Sequence, residues 1–215
     1  MLETATGLIL RTRPLTETSL IVQWLTPAEG RLATVAKGAR RHKSPFLGKL
    51  DLFYQAEFSF ARSRRSGLHT LREVRLLETR EALRQDLRRL QQAAYATALV
   101  EEATETDTPL PEIYELLRGF LDDLCRTEPG PQGVLAFELR LLRETGLQPD
   151  WRDARLAAGT QKAAAALMGD DRVAARRLKL TAAQTGELGR FLDGFILYHL
   201  GRLPRGRTAA LAGTP

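Results

Sequence analysis

The chain has 215 residues, 43% hydrophobic and 27% charged, with a net charge of +6 and one cysteine, Cys125; it is long enough for a real core. A lone cysteine excludes an intrachain disulfide and a cysteine-built zinc site, and no apolar run reaches the ~18 residues of a membrane span. Residues 1–80 carry 14 Lys/Arg against 7 Asp/Glu, residues 81–146 carry 7 against 13, and residues 147–215 carry 11 against 6. A basic excess held at the two ends favours a polyanionic partner over a general role in solubility.

Residues 6–12 and 18–26 are rich in apolar and β-branched side chains, and Pro14 ends the first run, so both read as strands. Thr26-Pro27-Ala28-Glu29-Gly30 reads as a turn: proline presets φ, and Gly30 takes positive φ before the chain re-enters a strand. From Gly30 the pattern alternates, with Leu32, Thr34 and Ala36 on one face and Arg31, Ala33, Val35 and Lys37 on the other, so residues 18–37 form a hairpin. The strand breaks at Gly38 into a loop carrying Lys37, Arg40, Arg41 and Lys43. These four cations within seven residues repel one another unless an anion lies across them; a solvated basic loop is the plain alternative. Leu50–Ala61 alternates again, with Leu52, Tyr54, Ala56, Phe58 and Phe60 sharing a face if no bulge intervenes. A second basic turn at 62–67 holds Arg64 and Arg65, and Leu68–Glu78 gives a fifth strand. Five short strands in about 80 residues fit a small barrel of the oligonucleotide-binding (OB) type, although an SH3-like barrel uses a similar pattern.

From Arg80 the period changes. Leu83, Leu87, Leu90, Ala94 and Ala98 define an amphipathic helix to about Thr104. Ile113, Leu116, Leu117, Phe120 and Leu124 define a second helix, ended by Glu128-Pro129-Gly130-Pro131. Leu135, Leu139 and Leu142 mark a third, closed by Gly146 at a left-handed cap. The alanine-rich segment Asp150–Gly169 gives no assignable period. A last helix runs over roughly Thr181–Leu200, and the Gly-, Pro- and Arg-containing tail from Gly201 is expected to be mobile. The expected class is α+β: an OB-fold barrel over residues 1–79 and a helical domain over 80–215.

Little in this pattern supports catalysis. The adjacent pairs Glu101-Glu102 and Asp122-Asp123 point about 100° apart on a helix and do not converge on one metal or proton. His42, His69 and His199 have no metal-ligand spacing, and Cys125 late in a helix reads as buried filler. No cofactor is expected. Trp24, Phe46, Phe53, Tyr54, Phe58 and Phe60 matter differently: single strands are held by cations tracking the backbone and aromatic rings stacking bases. Most of these rings belong in a core, with Trp24, Phe46 and Tyr54 the candidates for surface platforms.

The segments Arg13-Pro14-Leu15-Thr16-Glu17-Thr18-Ser19-Leu20, Gly30-Arg31 and Val35-Ala36-Lys37-Gly38-Ala39-Arg40-Arg41 with Lys43-Ser44 resemble the bacterial RecO family of recombination mediators. Phe137-Glu138-Leu139-Arg140-Leu141-Leu142 with Gly146-Leu147 is similar to the family's third-helix segment. The resemblance implies an N-terminal OB-fold that binds single- and double-stranded DNA and anneals strands. It also implies cooperation with RecR and with single-stranded-DNA-binding protein (SSB), and through them the loading of RecA. Many family members carry paired Cys-x-x-Cys motifs after the third helix. Here Asp153-Ala154-Arg155-Leu156-Ala157-Ala158-Gly159 stands in that place, which removes zinc from the expected cofactors.

Together these readings make Arg13, Arg31, Lys37, Arg40, Arg41, Lys43, Arg64 and Arg65 the expected DNA contacts. Arg118, Arg140 and Arg143, each on a helix bearing leucines, are the candidates for docking the acidic tail of SSB. The start of the chain lacks a basic segment followed by an apolar stretch, so a cytoplasmic, nucleoid-associated protein is expected. The competing reading is a protein–protein adaptor whose barrel is a scaffold with no direct DNA role.

Overall fold

The computed structural model describes residues 2–150, 156–169 and 171–212. Five strands, β1 (Leu2–Pro14), β2 (Leu20–Thr26), β3 (Gly30–Ala36), β4 (Gln55–Ala61) and β5 (Leu68–Glu78), close into a barrel in the order β1-β2-β3-β5-β4. The ladders are antiparallel except for β3 and β5, which run parallel from Ala33↔Leu68 to Val35↔Thr70. This is the OB-fold topology, so the class is α+β with the barrel first.

The alternation explains the closure. Leu20, Val22 and Trp24 on β2 lie opposite Ala36, Thr34 and Leu32 on β3. All but the half-buried Leu20 are buried, and they meet Ala56, Phe58 and Phe60 of β4 in one core. Trp24 stacks on Phe58 with ring centroids 4.0 Å apart. Its Nε1–H donates to the buried Thr34 hydroxyl at 2.9 Å, which satisfies the indole inside the barrel. The fourth strand begins later than its pattern suggests. Phe53 adopts φ +67°, a left-handed turn with its ring buried. The Phe53 amide donates to the Ile9 carbonyl and the Ile9 amide to the Tyr54 carbonyl, both at 2.9 Å, and the regular strand starts at Gln55.

Helices follow: α1 (Leu87–Ala103), α2 (Pro111–Arg126), α3 (Pro131–Glu144), α4 (Ala158–Met168), α5 (Arg172–Arg177), α6 (Ala182–Leu200) and α7 (Arg207–Leu211). The first expected helix is broken. A 3-10 turn over Glu81–Arg84 precedes α1, and the Asp86 carboxylate accepts the Arg88 and Arg89 amides at 2.8 and 3.2 Å, restarting the helix. The restart changes its phase: Leu87 is 68% exposed, while Tyr95, Ala96, Leu99 and Val100 are buried. Gly146 at φ +75° caps α3 as expected, with the Leu147 amide donating to the Leu142 carbonyl at 2.8 Å. Thr181 and Gln184 form a capping box at the start of α6, and Gly201 at φ +77° ends it. The Asp153–Arg155 part of the cysteine-free stretch lies outside the described residues.

By its contacts the chain divides into two compact units, residues 1–81 with 104–121 and residues 82–103 with 122–215. In the first unit, residues 104–110 strap the β2–β3 turn. The Arg31 guanidinium donates to the Thr104 carbonyl at 2.5 Å, and the Asp107 amide donates to the Arg31 carbonyl at 3.0 Å. The Leu110 amide donates to the Pro27 carbonyl at 3.2 Å, and Gln55 Nε2 donates to the Tyr114 hydroxyl at 3.1 Å.

In the second unit α3 is the hub, packing on α1, α4, α5, α6 and α7, and Val134–Leu142 is buried without interruption. Its two central charges are matched from outside the helix. Glu138 is fully buried and takes two bonds from Arg207, at 2.7 Å from Nε and 2.8 Å from Nη2, plus the Tyr95 hydroxyl at 2.5 Å. Burial, followed by the charge of Glu138, pushes the Tyr95 phenol well above its ordinary range. Burial opposes the charge on Arg207, but the hydrogen bonds and charge of Glu138 outweigh it and hold the guanidinium protonated. The tail is therefore not the mobile end its composition suggests. Arg207 and Ala210 are buried, and Gln92 Nε2 donates to the Ala210 carbonyl at 2.9 Å.

Two substitutions test these anchors. Gly30 has φ +66°, and a Cβ there would stand 1.8 Å from the Thr108 carbonyl oxygen. Gly30→Ala is expected to cost about 3 kcal/mol in urea unfolding, through backbone strain and displacement of the strap. Arg207→Met leaves Glu138 buried without its counter-charge and is expected to cost ~3–5 kcal/mol, with much of the loss recovered in Glu138→Gln/Arg207→Met. Equal stabilities of the single and double variants would show that the pair is not what holds the tail.

Candidate nucleic-acid interface

The barrel separates the expected cations into two groups at opposite ends of β3. The ladder Pro14↔Leu20↔Ala36 marks one end, where β3 gives way to the loop of Lys37, Arg40, Arg41 and Lys43. All four are exposed, as is Arg13 one residue before Pro14. Glu17, on the facing turn, is the acid nearest in sequence to Arg13.

This loop is ordered by its backbone. Its amides close successive short turns: Ala39 to the Ala36 carbonyl, Arg41 to Gly38, Ser44 to Arg41, Leu47 to Ser44 and Lys49 to Phe46, at 3.0–3.3 Å. Ala39 and Phe46 are buried in the barrel core and act as two anchors. The 14–19 turn supplies a third, because the Arg40 amide donates to the Thr18 carbonyl at 3.0 Å and the Gly38 amide to the Ser19 hydroxyl at 3.4 Å. That turn is itself fixed, as the Thr18 and Ser19 amides both donate to the Thr16 hydroxyl. Gly38 has φ +69°, and the Arg41 side chain passes beside it. The Arg40 guanidinium reaches back to the Thr16 carbonyl at 3.2 Å, whereas Lys37, Arg41 and Lys43 make no ion pair with any described residue. Three like charges therefore stand exposed on a loop whose backbone is pinned.

The other expected contacts lie elsewhere. Arg31 sits at the start of β3, half-buried, with its guanidinium on the strap at Thr104. Arg64 and Arg65 are exposed on the 62–67 turn, whose base is fixed by Arg62 bonding Glu3 at 2.7 Å and Glu29 at 2.5 Å. Glu29 precedes Gly30, so this turn stands at the far end of β3, roughly 20 Å from the Lys37 loop for a seven-residue strand. The Arg62 hydrogen bonds hold the Glu3 carboxyl below its ordinary value, and those to Glu3 and then Glu29 hold Arg62 above its own.

Two of the expected stacking platforms are internal. Trp24 and Phe46 are buried core residues, because Trp24 falls in the inward phase of β2 and Phe46 plugs the barrel; Tyr54 packs partly buried against the same cluster. Of the expected partner contacts, Arg118 is partly exposed in the first unit and pairs with Glu115 at 2.5 Å. Arg140 and Arg143 lie in the second unit, tied to the end of α4. Arg140 is 7% exposed and donates to the Leu167 and Gly169 carbonyls at 3.1 and 2.6 Å, and Arg143 donates to the Met168 carbonyl at 2.9 Å. Arg140 thus satisfies a helix C-terminus and presents no charge to a partner. Sequence reading missed Thr16 and Ser19 as the holders of the basic loop, although a Thr-x-x-Ser turn beside Pro14 is the pattern that signals them. Among the described residues no cluster of three or more His, Cys, Asp or Glu side chains could hold a metal ion, and no helix is long and apolar enough to cross a membrane.

Residues 1–80 match the family model Recombination protein O N terminal, and residues 84–154 match Recombination protein O C terminal. The chain belongs to the RecO family. It is 34% identical over 153 residues to the DNA repair protein RecO of Myxococcus xanthus, covering 71% of this chain and 62% of that protein. It is 35% identical over 144 residues to RecO of Anaeromyxobacter sp. strain K, covering 67% and 57%. RecO of Alkaliphilus metalliredigens is 34% identical over 150 residues, covering 69% and 60%. The chain thus spans about three fifths of the length of these relatives. The two family matches together take in the barrel, the pinned basic loop and the helices through α3.

His69 in the second turn is a pH-sensitive element. It is buried against Phe60, its Nδ1 accepts the Ser63 amide at 3.2 Å, and its Nε2 has no partner among the described residues. Burial first, and then the Arg62 charge, push its pKa below the ordinary 6.5. A depressed folded value means the neutral ring stabilises the fold fully above pH 6.5, and that contribution is lost as pH falls below it toward the folded pKa. Unfolding free energy is expected to decline as pH falls below 6.5, and His69→Gln, which still accepts from Ser63, is expected to flatten that decline.

Proposed function

We propose that this chain is a non-catalytic DNA-repair and recombination mediator that binds single- and double-stranded DNA and anneals strands. The observation that carries the reading is the set of exposed, unpaired cations Lys37, Arg41 and Lys43 on a loop pinned to an OB-fold barrel, with Arg13 at the same end. Such a loop contacts phosphates without the entropic cost of ordering a flexible one. Arg40 belongs to the same footprint as a residue that holds the loop's shape. Arg64 and Arg65 offer a separate contact at the far end of β3, available to a strand that passes along the barrel. Two separated cationic ends suit annealing, since two strands have to be screened at once.

Membership of the family supports cooperation with RecR and SSB in placing RecA on DNA, in the cytoplasm at the nucleoid. Of the three arginines expected to receive the acidic tail of SSB, Arg118 and Arg143 are half-buried and each is paired with a nearby glutamate, and they are the remaining candidates. The adaptor reading would leave the basic loop without a ligand.

The test is a titration of labelled single-stranded and duplex oligonucleotides with the full chain at several salt concentrations. Each of Lys37→Ala, Arg41→Ala and Lys43→Ala is expected to weaken binding uniformly across sequences and to lower the salt slope by about one unit. A folded Lys37/Arg40/Arg41/Lys43 quadruple alanine variant with an unchanged salt slope would refute the loop's DNA role.

A further inference from the structure

A second feature lies beside the basic loop in the barrel unit. The end of that loop, at Pro45, Phe46 and Lys49, forms one side of a cleft of about 360 Å³ whose other side is β4, β5 and the start of β1. At its floor lie the edges of Phe46, Phe58 and Val74, residues of the barrel core that are each at most 7% exposed. Its wall includes Ser59, which is 9% exposed and whose hydroxyl is buried with no hydrogen-bond partner among the described residues. At the rim stand Lys49, Arg72 and Arg75 against Glu57 and Glu73. Arg75 is bound to Glu57 at 3.1 Å, so Lys49 and Arg72 are left facing the single acid Glu73.

We propose that this cleft takes one unstacked nucleotide of a single strand whose backbone runs across the basic loop, a reading that rests on the DNA binding proposed above. The volume is at the lower end of small-molecule sites and suits one base with its sugar, not a stretch of strand. An apolar floor accepts any base, which gives sequence tolerance. A base edge seated against the wall gives the Ser59 hydroxyl the partner it lacks, and orphaned buried hydroxyls are rare because they are costly. Lys49 and Arg72 at the rim are placed for the attached phosphate. Pro45 follows Lys43 by two residues, so the cleft continues the cationic track. A paired base cannot enter, and the cleft therefore adds affinity for single strands only.

An apolar floor with cations at its rim also has the chemistry to accept an acidic peptide ending in an aromatic residue. Continuity with the basic loop favours the nucleotide.

The experiment compares three labelled ligands of equal length on the full chain: an oligothymidylate, the same strand with abasic sites, which keeps the charge and removes bases, and a duplex. The wild-type chain is expected to bind the base-bearing strand about tenfold more tightly than the abasic one. Ser59→Ala and Arg72→Ala are expected to bring that ratio toward one while leaving duplex binding within about twofold. A wild-type ratio of one overturns the cleft proposal without any variant, as does an unchanged ratio in both variants with unaltered thermal melts. A ratio of one together with Arg72-dependent binding of an acidic, aromatic-ended peptide would assign the cleft to a peptide and also overturn the proposal. Loss of all salt-dependent binding to the three ligands would instead defeat the DNA-binding reading itself.

Discussion

The helical unit depends on one buried ion pair. Glu138 lies in the middle of a helix enclosed on every side, where an unpaired carboxylate would be severely penalised. Its only compensation among described cations comes from Arg207, sixty-nine positions later, with the Tyr95 hydroxyl from a third helix completing the shell. Three stretches far apart in sequence are thereby fixed to one point. The same logic places Arg140, whose guanidinium satisfies the open carbonyls at the end of α4. Glu138 and Arg140 on this helix organise the core, whereas Arg143 and Glu144 at its end are partly exposed.

The barrel solves a different problem. Its strands have no free edges, so function has to lie in the loops and on the outer wall. The loop after β3 is held by two buried side chains and by a neighbouring turn, and its free cations keep a fixed spacing. The turn after β4 is built on an ion-pair network of Glu3, Arg62 and Glu29, and its two arginines, Arg64 and Arg65, are exposed. One strand length separates these two basic regions, whereas in the sequence they belong to a single basic third of the chain.

Much of this architecture was legible in the residues. Alternation marked β3, apolar and β-branched composition marked β2, and Pro27 with Gly30 marked the turn between them. The cap glycine Gly146 marked the end of α3. What was not legible has physical causes. Leu50–Phe53 has strand composition, but only its positive backbone angle shows that it is a turn. Trp24 looked available for stacking because composition cannot show that its ring shares the inward phase of Val22. The tail looked mobile because local polarity carries no information about a buried acid elsewhere in the chain. The division of the arginines into anion contacts and carbonyl holders depends on the same long-range partners. For Arg31 and Arg140 the sequence shows only a cation.

The polypeptide passes between its two compact units three times, at residues 81–82, 103–104 and 121–122. This interleaving sets when each unit can be completed during synthesis. The five strands emerge first, yet the strap over the β2–β3 turn belongs to residues made after the whole of α1. The barrel unit is therefore incomplete on the ribosome until residue 121 has appeared, and α1 must wait longer still for Glu138 and Arg207. Part of the helical unit is thus made before the barrel unit is complete, so the two units overlap during synthesis. The barrel unit remains an unfinished substrate for chaperones and proteases until residue 121 has been made, and the helical unit until its last helix has.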